Sequence, residues 1–361
     1  MEVAKCKSCL ITDKVAGVEI GADGTCNLCK AHATSPAHTD DAGRVERQAD
    51  LEKTLADVRG GGEYDCLVPL SGGKDSVYLL HKLKTQYPHV RVLAYTTDVN
   101  IPDIAWHNIR TTTEKLEIDH LVYRPPESFY RKVFRYILRN QEERGAVYSV
   151  SYVYAPLFEG DAIKVAVEKD IPLILAGYSP GQPEPERMLY EFSRQLIETV
   201  AWTPPELAQC GEFSEDELKR FFDPARYPAG TCFPRYLAPY HAWPYDQDEI
   251  MKEVVRLGLV KSAKHASPIF SNYPINWLLM YSDIKHFGYN PYMPEFSALI
   301  REGKASLNQW RALGPLVDFM ITRKLLLGAE VKRSMAWLDL DESQLAVNRP
   351  RGAYDPPVLV R

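Results

Sequence analysis

The stretch Ser71-Gly72-Gly73-Lys74-Asp75-Ser76 constrains this chain more than any other. It follows the apolar run Cys66-Leu67-Val68-Pro69-Leu70 and precedes a helical pattern with apolar Val77, Leu79, Leu80 and Leu83. A strand that ends in a Gly-rich turn and opens a helix is a trap for phosphate. The glycines let the backbone come close to oxygen, the unpaired N–H groups of the first helical turn point at the anion, and the helix dipole favours negative charge. Lys74 adds a point charge, and Ser71 and Ser76 add hydroxyl donors. The bland alternative is a chance Gly-Gly turn, but the pattern on both sides fits the trap.

The strands around the loop extend the argument. Val90–Tyr95, His120–Tyr123 and Ile171–Ala176 read as further short apolar strands, with helical patterns between them. The clearest of these places Tyr130, Phe134, Ile137 and Leu138 on one face. Short apolar strands alternating with helices imply an α/β fold, a doubly wound parallel sheet covered on both faces, with ligands bound beyond the carboxyl ends of the strands. The loop lies at such an end. So does Asp98, and so does Gly177, whose missing side chain would admit a ligand; a turn or cap residue and a simple turn glycine are the alternatives.

The chain divides, on its pattern, into residues 1–35, a linker and helix over 36–62, an α/β domain that holds the phosphate loop over 63–200, and a mostly helical region over 201–361. Within these, 33–45 reads as linker and about 46–58 as a helix carrying Leu51, Leu55 and Val58. Ser214-Glu215-Asp216-Glu217 reads as a capping box and Asp246-Gln247-Asp248-Glu249 as a helix start with Asp as the cap.

Cys6, Cys9, Cys26 and Cys29 form C-x2-C-x16-C-x2-C. That spacing suits a four-cysteine zinc ribbon, in which two knuckles each supply two thiolates to a tetrahedral ion. An iron–sulfur cluster or unliganded thiols are the alternatives. Four thiolates close the coordination shell, so the site is structural, and His32 nearby is expected to be a bystander. The 361 residues are 45% hydrophobic and 25% charged, with a formal charge of −5 and a pI near 6.0, which disfavours a general nucleic-acid binder. No signal-peptide pattern opens the sequence and no long apolar run follows, so a cytoplasmic protein with no membrane span is expected.

The spacing of Ser71–Ser76 is not that of a Walker A loop. It resembles the SGGxDS loop of the PP-loop ATP pyrophosphatase superfamily, the N-type family. That resemblance implies cleavage of ATP between its α and β phosphates, with Mg²⁺, through an adenylated intermediate. It implies that Ser71, Gly72, Gly73, Lys74, Asp75 and Ser76 hold ATP, that Lys74 neutralises the departing pyrophosphate, that Asp75 holds the metal or its water, and that Asp98 and Gly177 complete the nucleotide site.

The nucleophile that displaces AMP separates the possible reactions. Sulfur-transferring relatives usually carry catalytic cysteines, often as a CxxC pair. Outside the ribbon this chain has only Cys66, Cys210 and Cys232, with no CxxC among them. Ammonia is the other choice. The residue after Met1 is Glu2, and no glutaminase domain fits in the remaining length, so ammonia is expected from another polypeptide or from solution. The ribbon Cys6-Lys7-Ser8-Cys9 with Gly24-Thr25-Cys26-Asn27-Leu28-Cys29, followed by the loop, is similar to the N-acetyl sugar amidotransferase family of surface-polysaccharide biosynthesis. Phe287-Gly288-Tyr289-Asn290-Pro291-Tyr292 and Ile300-Arg301-Glu302-Gly303 carry the resemblance towards the C-terminus.

The resemblance implies conversion of an acetamido sugar, or a nucleotide sugar bearing that group, into an amidine, with ATP, Mg²⁺ and Zn²⁺ and a separate glutaminase subunit. The chain departs from relatives with cysteines in the middle segment by having Tyr148-Ser149-Val150-Ser151-Tyr152 there. Arg187, Arg194, Arg235, Lys264 and His265 are candidates for substrate phosphates, Glu184 and Glu186 for Mg²⁺ or ammonia, and the Pro239–Tyr245 loop with His241 for a pocket wall. Solvated surface is the alternative for each. Thiolation of tRNA or a small metabolite is the second enzymatic reading, and a binding protein with ATP as a structural ligand a third. The oligomeric state stays open, a homo-oligomer included.

Overall fold

A computed structural model describes residues 3–34, 41–140, 145–179, 190–267, 273–303 and 305–345. The chain folds as two compact units.

The first takes Asp41–Phe129 and Tyr152–Tyr273 and holds the whole sheet. Its strands are β1 (Cys66–Pro69), β2 (Val92–Thr97), β3 (Asp119–Tyr123), β4 (Leu173–Leu175), β5 (Glu191–Phe192) and β6 (Arg235–Leu237). They lie in the order β3-β2-β1-β4-β6-β5, all parallel except β5 against β6. Alternation along the strands explains the layers. Cys66 and Val68, Ala94, Leu173 and Leu175, and Leu237 face one core, shared with Leu51 and Leu55 of helix Asp41–Asp57 and with Val77, Leu80 and Ile109 of the helices Lys74–Gln86 and Asp103–Leu116. Leu67, Leu93, Tyr95, Ile174 and Tyr236 face the other, against Ala162, Ile163 and Ala166 of helix Ala155–Glu168 and an aromatic group of Phe192, Trp202, Phe222 and Phe233. Both faces are apolar because both are covered, as the sequence pattern implied.

Two boundaries differ from expectation. The helix expected from residue 46 begins at Asp41, so residues 41–45 are helix and not linker. Residues beyond 200, read as helical with long loops, also supply β6. That strand escapes pattern reading because it has three residues and opens on Arg235. The guanidinium binds Glu191 and Asp50 at 2.9 Å and Thr54 at 2.8 Å, so the charge is spent tying sheet to helix and not on a ligand. The two expected helix starts are present: Ser214 and Glu217 exchange both capping bonds, and Asp246 accepts from the Glu249 amide at 2.9 Å.

The second unit takes Met1–Asp40, Tyr130–Ser151 and Pro274–Arg361. Its described part joins the cysteine region to the helices Ile275–Phe287, Met293–Arg301, Leu307–Arg323 and Ala329–Leu338. Asp283, fully buried, caps the short helix Ala146–Ser149 by accepting from the Ala146 and Val147 amides at 2.6 and 3.0 Å. Among the described residues no helix is long and apolar enough to cross a membrane.

Candidate functional site

The sheet order turns at β1, with β2 on one side and β4 on the other. In an open α/β sheet the crevice beyond the strand ends at such a switch point is where ligands bind. The loop Ser71–Gly73 leaves β1 at that point, and Ala176-Gly177 leaves β4 beside it. Gly72 stands at φ +76°, and a Cβ there would lie 2.4 Å from the Ala105 carbonyl oxygen, so only glycine fits. Gly73 caps helix Lys74–Gln86 with no side-chain bond to the first turn, which leaves those amides to another partner. The hydroxyls of Ser71 and Ser76 lie 3.2 Å apart, and Ser76 donates to the Gly73 carbonyl at 3.1 Å. Gly177 is where a Cβ would meet the Ser76 amide nitrogen at 2.9 Å; its lack of side chain lets the β4 end pack on the helix start.

The charges of the loop are already paired. Lys74 Nζ donates to Asp75 Oδ2 at 2.6 Å, and both side chains are buried. Tyr245 bridges them: Lys74 donates to its hydroxyl at 3.3 Å, and the hydroxyl donates to Asp75 Oδ1 at 3.1 Å. Tyr240 donates to the Asp75 backbone carbonyl at 2.8 Å. Burial, with the charge of Asp75 added, pushes the Tyr240 phenol well above its ordinary range, so it acts only as a donor. The sequence singled out the Pro239–Tyr245 loop through His241; the structure brings it to the site through Tyr240 and Tyr245, while the His241 carbonyl accepts from Arg47.

Asn108 was not singled out at all. Fully buried on helix Asp103–Leu116, it donates from Nδ2 to the Gly72 carbonyl at 2.9 Å and to the His265 carbonyl at 2.8 Å. An amide side chain on the inward stripe of Ala105, Ile109 and Leu116 is the signal that could have found it.

Asp98 follows β2, its amide bonded to the Tyr123 carbonyl and its carboxylate to Arg124 at 2.5 Å. Arg194 is exposed at the start of its helix. Glu184, Glu186 and Arg187 lie outside the described residues. The Tyr148–Tyr152 segment runs from helix Ala146–Ser149 into the π-helical turn Val150–Tyr154. Cys66 is fully buried, and burial pushes its thiol up and out of the reactive range. Cys210 is half-buried and Cys232 exposed.

In the second unit the four cysteine sulfurs of Cys6, Cys9, Cys26 and Cys29 lie within 4.8 Å of one another. Cys6 and Cys29 are 3.8 Å apart, and Cys9 and Cys26 3.7 Å. Four sulfurs at about 2.3 Å from one ion stand roughly 3.8 Å apart, so the set fits a single tetrahedral ion. A cluster of several irons between the thiolates would spread them wider. The Cys26 and Cys29 amides donate to Cys6 and Cys26 sulfurs at 3.3 Å. Burial raises the Cys6 thiol, but amide bonds from Cys26, Ser8 and Cys9 outweigh it and bring it down to about 7. Arg301 donates to Cys9 Sγ at 3.5 Å, and Tyr289, Met293 and Ile300 pack on the same group. The segments that carried the resemblance at the two ends of the sequence thus meet in one place. His32 is not among the donors.

No family model matches the chain, and no curated protein matches it. Among solved structures it is similar to the U34-tRNA thiolase NcsA from Methanococcus maripaludis with its [4Fe-4S] cluster (13% identity, 100% of this chain and 95% of that one, TM-score 0.35). It is also similar to an NMN synthetase from Francisella tularensis (10%, 86% and 98%, TM-score 0.34). A third is an NH3-dependent NAD synthetase from Campylobacter jejuni (13%, 83% and 96%, TM-score 0.34). Likenesses this distant carry no argument about activity.

Proposed function

We propose that the chain is an ATP-dependent, AMP- and pyrophosphate-forming amidotransferase of the PP-loop type, acting on the acetamido group of a sugar or nucleotide sugar. The observation that carries the ATP-cleaving part is the SGGKDS loop at the switch point of a parallel sheet, with Gly72 in its left-handed turn and an uncapped helix start after it.

ATP is the first substrate. Its β and γ phosphates lie against the loop amides and the Ser71 and Ser76 hydroxyls. Mg²⁺, when bound, spreads the charge of the leaving pyrophosphate, and Asp75 is the loop carboxylate that would hold it or its water. Lys74 must exchange its partner Asp75 for phosphate oxygen at that stage, with Tyr245 in contact with both ends of the exchange. The amide oxygen of the acceptor attacks the α phosphorus and pyrophosphate leaves. Ammonia attacks the resulting imidate carbon, AMP leaves, and an amidine forms. Exclusion of water protects the imidate from hydrolysis.

The choice of nitrogen over sulfur is supported by the thiols. Four are gathered on one metal set, where zinc, held by Cys6, Cys9, Cys26 and Cys29, would be structural, and Cys66 is sealed in β1. A separate glutaminase would supply the ammonia, in a cytoplasmic setting.

Product analysis tests this. The protein is incubated with ATP and an acetamido sugar, with ammonium or sulfide. Ammonium-stimulated release of AMP and pyrophosphate is the expected result. Stimulation by sulfide alone, abolished by Cys210→Ser or Cys232→Ser, would replace the reading with a thiolase, and ADP as product would sink both.

A further inference from the structure

Two glycines in succession leave the loop a freedom that its own sequence does not settle. The peptide between Gly72 and Gly73 has no side chain on either flank, so rotation of its plane meets little steric resistance. The direction that plane faces decides whether the Gly73 amide can meet an anion. We propose that Asn108 is the positioning residue of the loop: it holds the Gly72–Gly73 peptide with the carbonyl inward and so aims the Gly73 N–H at the phosphate oxygens of ATP. This rests on the ATP-cleaving reading above and adds to it a residue that acts without touching substrate.

Helix Asp103–Leu116 lies along the inner side of the loop, with Ala105 in its first turn crowding Gly72. One turn on, the fully buried Asn108 donates from Nδ2 to the Gly72 carbonyl at 2.9 Å. A trans peptide is planar, and its C=O and N–H point in opposite directions. With the carbonyl drawn to a buried side chain, the Gly73 N–H faces the other way. There it donates to the hydroxyl of exposed Ser71 at 3.3 Å. A long bond between neutral groups yields readily to the shorter, charge-assisted bond of a phosphate oxygen. The other proton of Asn108 Nδ2 goes to the His265 carbonyl at 2.8 Å. A carboxamide nitrogen carries two protons in one plane, so two carbonyl partners fix the rotation of the amide group itself. Turned over, Oδ1 would face two carbonyl oxygens. Oδ1 has no hydrogen-bond partner among the described residues, so the two donors carry the hold. Leucine offers no donor in their place, and aspartate offers only further acceptors. Thr112, one more turn along, is also buried and donates to the Leu259 carbonyl at 3.2 Å; its bond runs to that segment and not to the loop.

Magnetic resonance on the full-length protein tests this without turnover. Glycine labelled at both its carbonyl carbon and its nitrogen gives filtered amide signals only from Gly61, Gly62 and Gly73, the glycines that follow a glycine. Gly61 and Gly62 lie before β1 and serve as references. As magnesium pyrophosphate is added to the wild type, the Gly73 signal should shift and the references should stay. Asn108→Leu, close in size, should move the Gly73 signal before any ligand is present and weaken pyrophosphate binding about tenfold. Thr112→Val is the control for a merely structural loss. It removes a buried bond from the same helix, should lower the melting temperature as Asn108→Leu does, and should leave the Gly73 signal and the affinity at wild-type values. If Asn108→Leu does not fold, Asn108→Ser, which keeps one donor on a smaller side chain, is measured in its place with the same directions expected. Wild-type affinity in the folded Asn108 variant overturns the proposal. So does an unmoved Gly73 signal in that variant, or an equal loss of affinity in Thr112→Val. A wild-type Gly73 signal indifferent to pyrophosphate overturns it too, whatever nucleotide the enzyme forms. The functional reading stands or falls separately, on whether ATP yields AMP and pyrophosphate.

Discussion

Lys74 and Asp75 are adjacent in sequence and paired at 2.6 Å, yet the group that holds the pair lies 170 residues away in Tyr245. Removing the Tyr245 hydroxyl leaves Asp75 Oδ1 short of a buried donor. Tyr245→Phe should therefore lower kcat for pyrophosphate release by roughly tenfold, about 1.4 kcal/mol, with unchanged circular dichroism; wild-type kcat would show that the hydroxyl has no part in the exchange. The two glycines of the loop make a sharper contrast. At Gly72 a side chain meets backbone at 2.4 Å and φ is positive, so Gly72→Ala should destabilise by about 1–3 kcal/mol in denaturant melts. At Gly73 a Cβ meets only Ser71 Oγ at 3.4 Å, so Gly73→Ala should keep its stability and lose ATP affinity. Equal stability losses in the two variants would refute the distinction. The loop's own conformation was legible because it depends on glycine, hydroxyl and helix-start chemistry within six residues. Tyr240, Tyr245 and Asn108 were not, because their partners are set only by the folded chain.

Strands show the same division between local and distant causes. β1, β2 and β4 could be read as apolar runs, since a buried strand paired between two others needs little else, whereas β3 lies at the sheet edge, largely exposed, and was legible only through Leu121, Val122 and Tyr123. β5 and β6, with two and three residues, contain too few positions for a period, and Arg235 hides β6 by carrying a charge neutralised by Glu191 and Asp50. The entry to β1 is governed by another such pair. Asp65, wholly buried, binds Arg91 through both oxygens, at 2.7 and 3.0 Å, and accepts from the Gly60 amide at 2.7 Å. Burial alone would raise its pKa, but Arg91 and the amides win and hold it at about 2. Its folded pKa is thus depressed below the unfolded value. The stability it contributes is complete above about pH 4 and is lost as pH falls towards 2. Asp65→Asn should cost on the order of 2 kcal/mol at neutral pH, with the gap to wild type closing between about pH 4 and 2 in urea melts; a gap independent of pH would contradict the assignment.

At the scale of the molecule, each unit carries one of the two sequence signatures. The loop belongs to the sheet unit, and the cysteines belong with the helices Ile275–Phe287 and Met293–Arg301. Spacing revealed the four thiols but not what covers them. Metal analysis should return about one zinc per chain. Cys26→Ser should lose it and lower the melting temperature while ATP binding by the sheet unit persists. Retention of zinc, or an iron chromophore in the wild type, would reject the assignment.

The cover over the thiols also has a consequence in time. Cys29 emerges from the ribosome long before Tyr289, Met293 and Ile300, which close the same apolar group. At about 10 residues per second the interval is roughly half a minute. During synthesis the four thiols must wait without their lid, open to metal exchange and to oxidants. The nascent chain is therefore vulnerable at a centre that the finished protein largely covers.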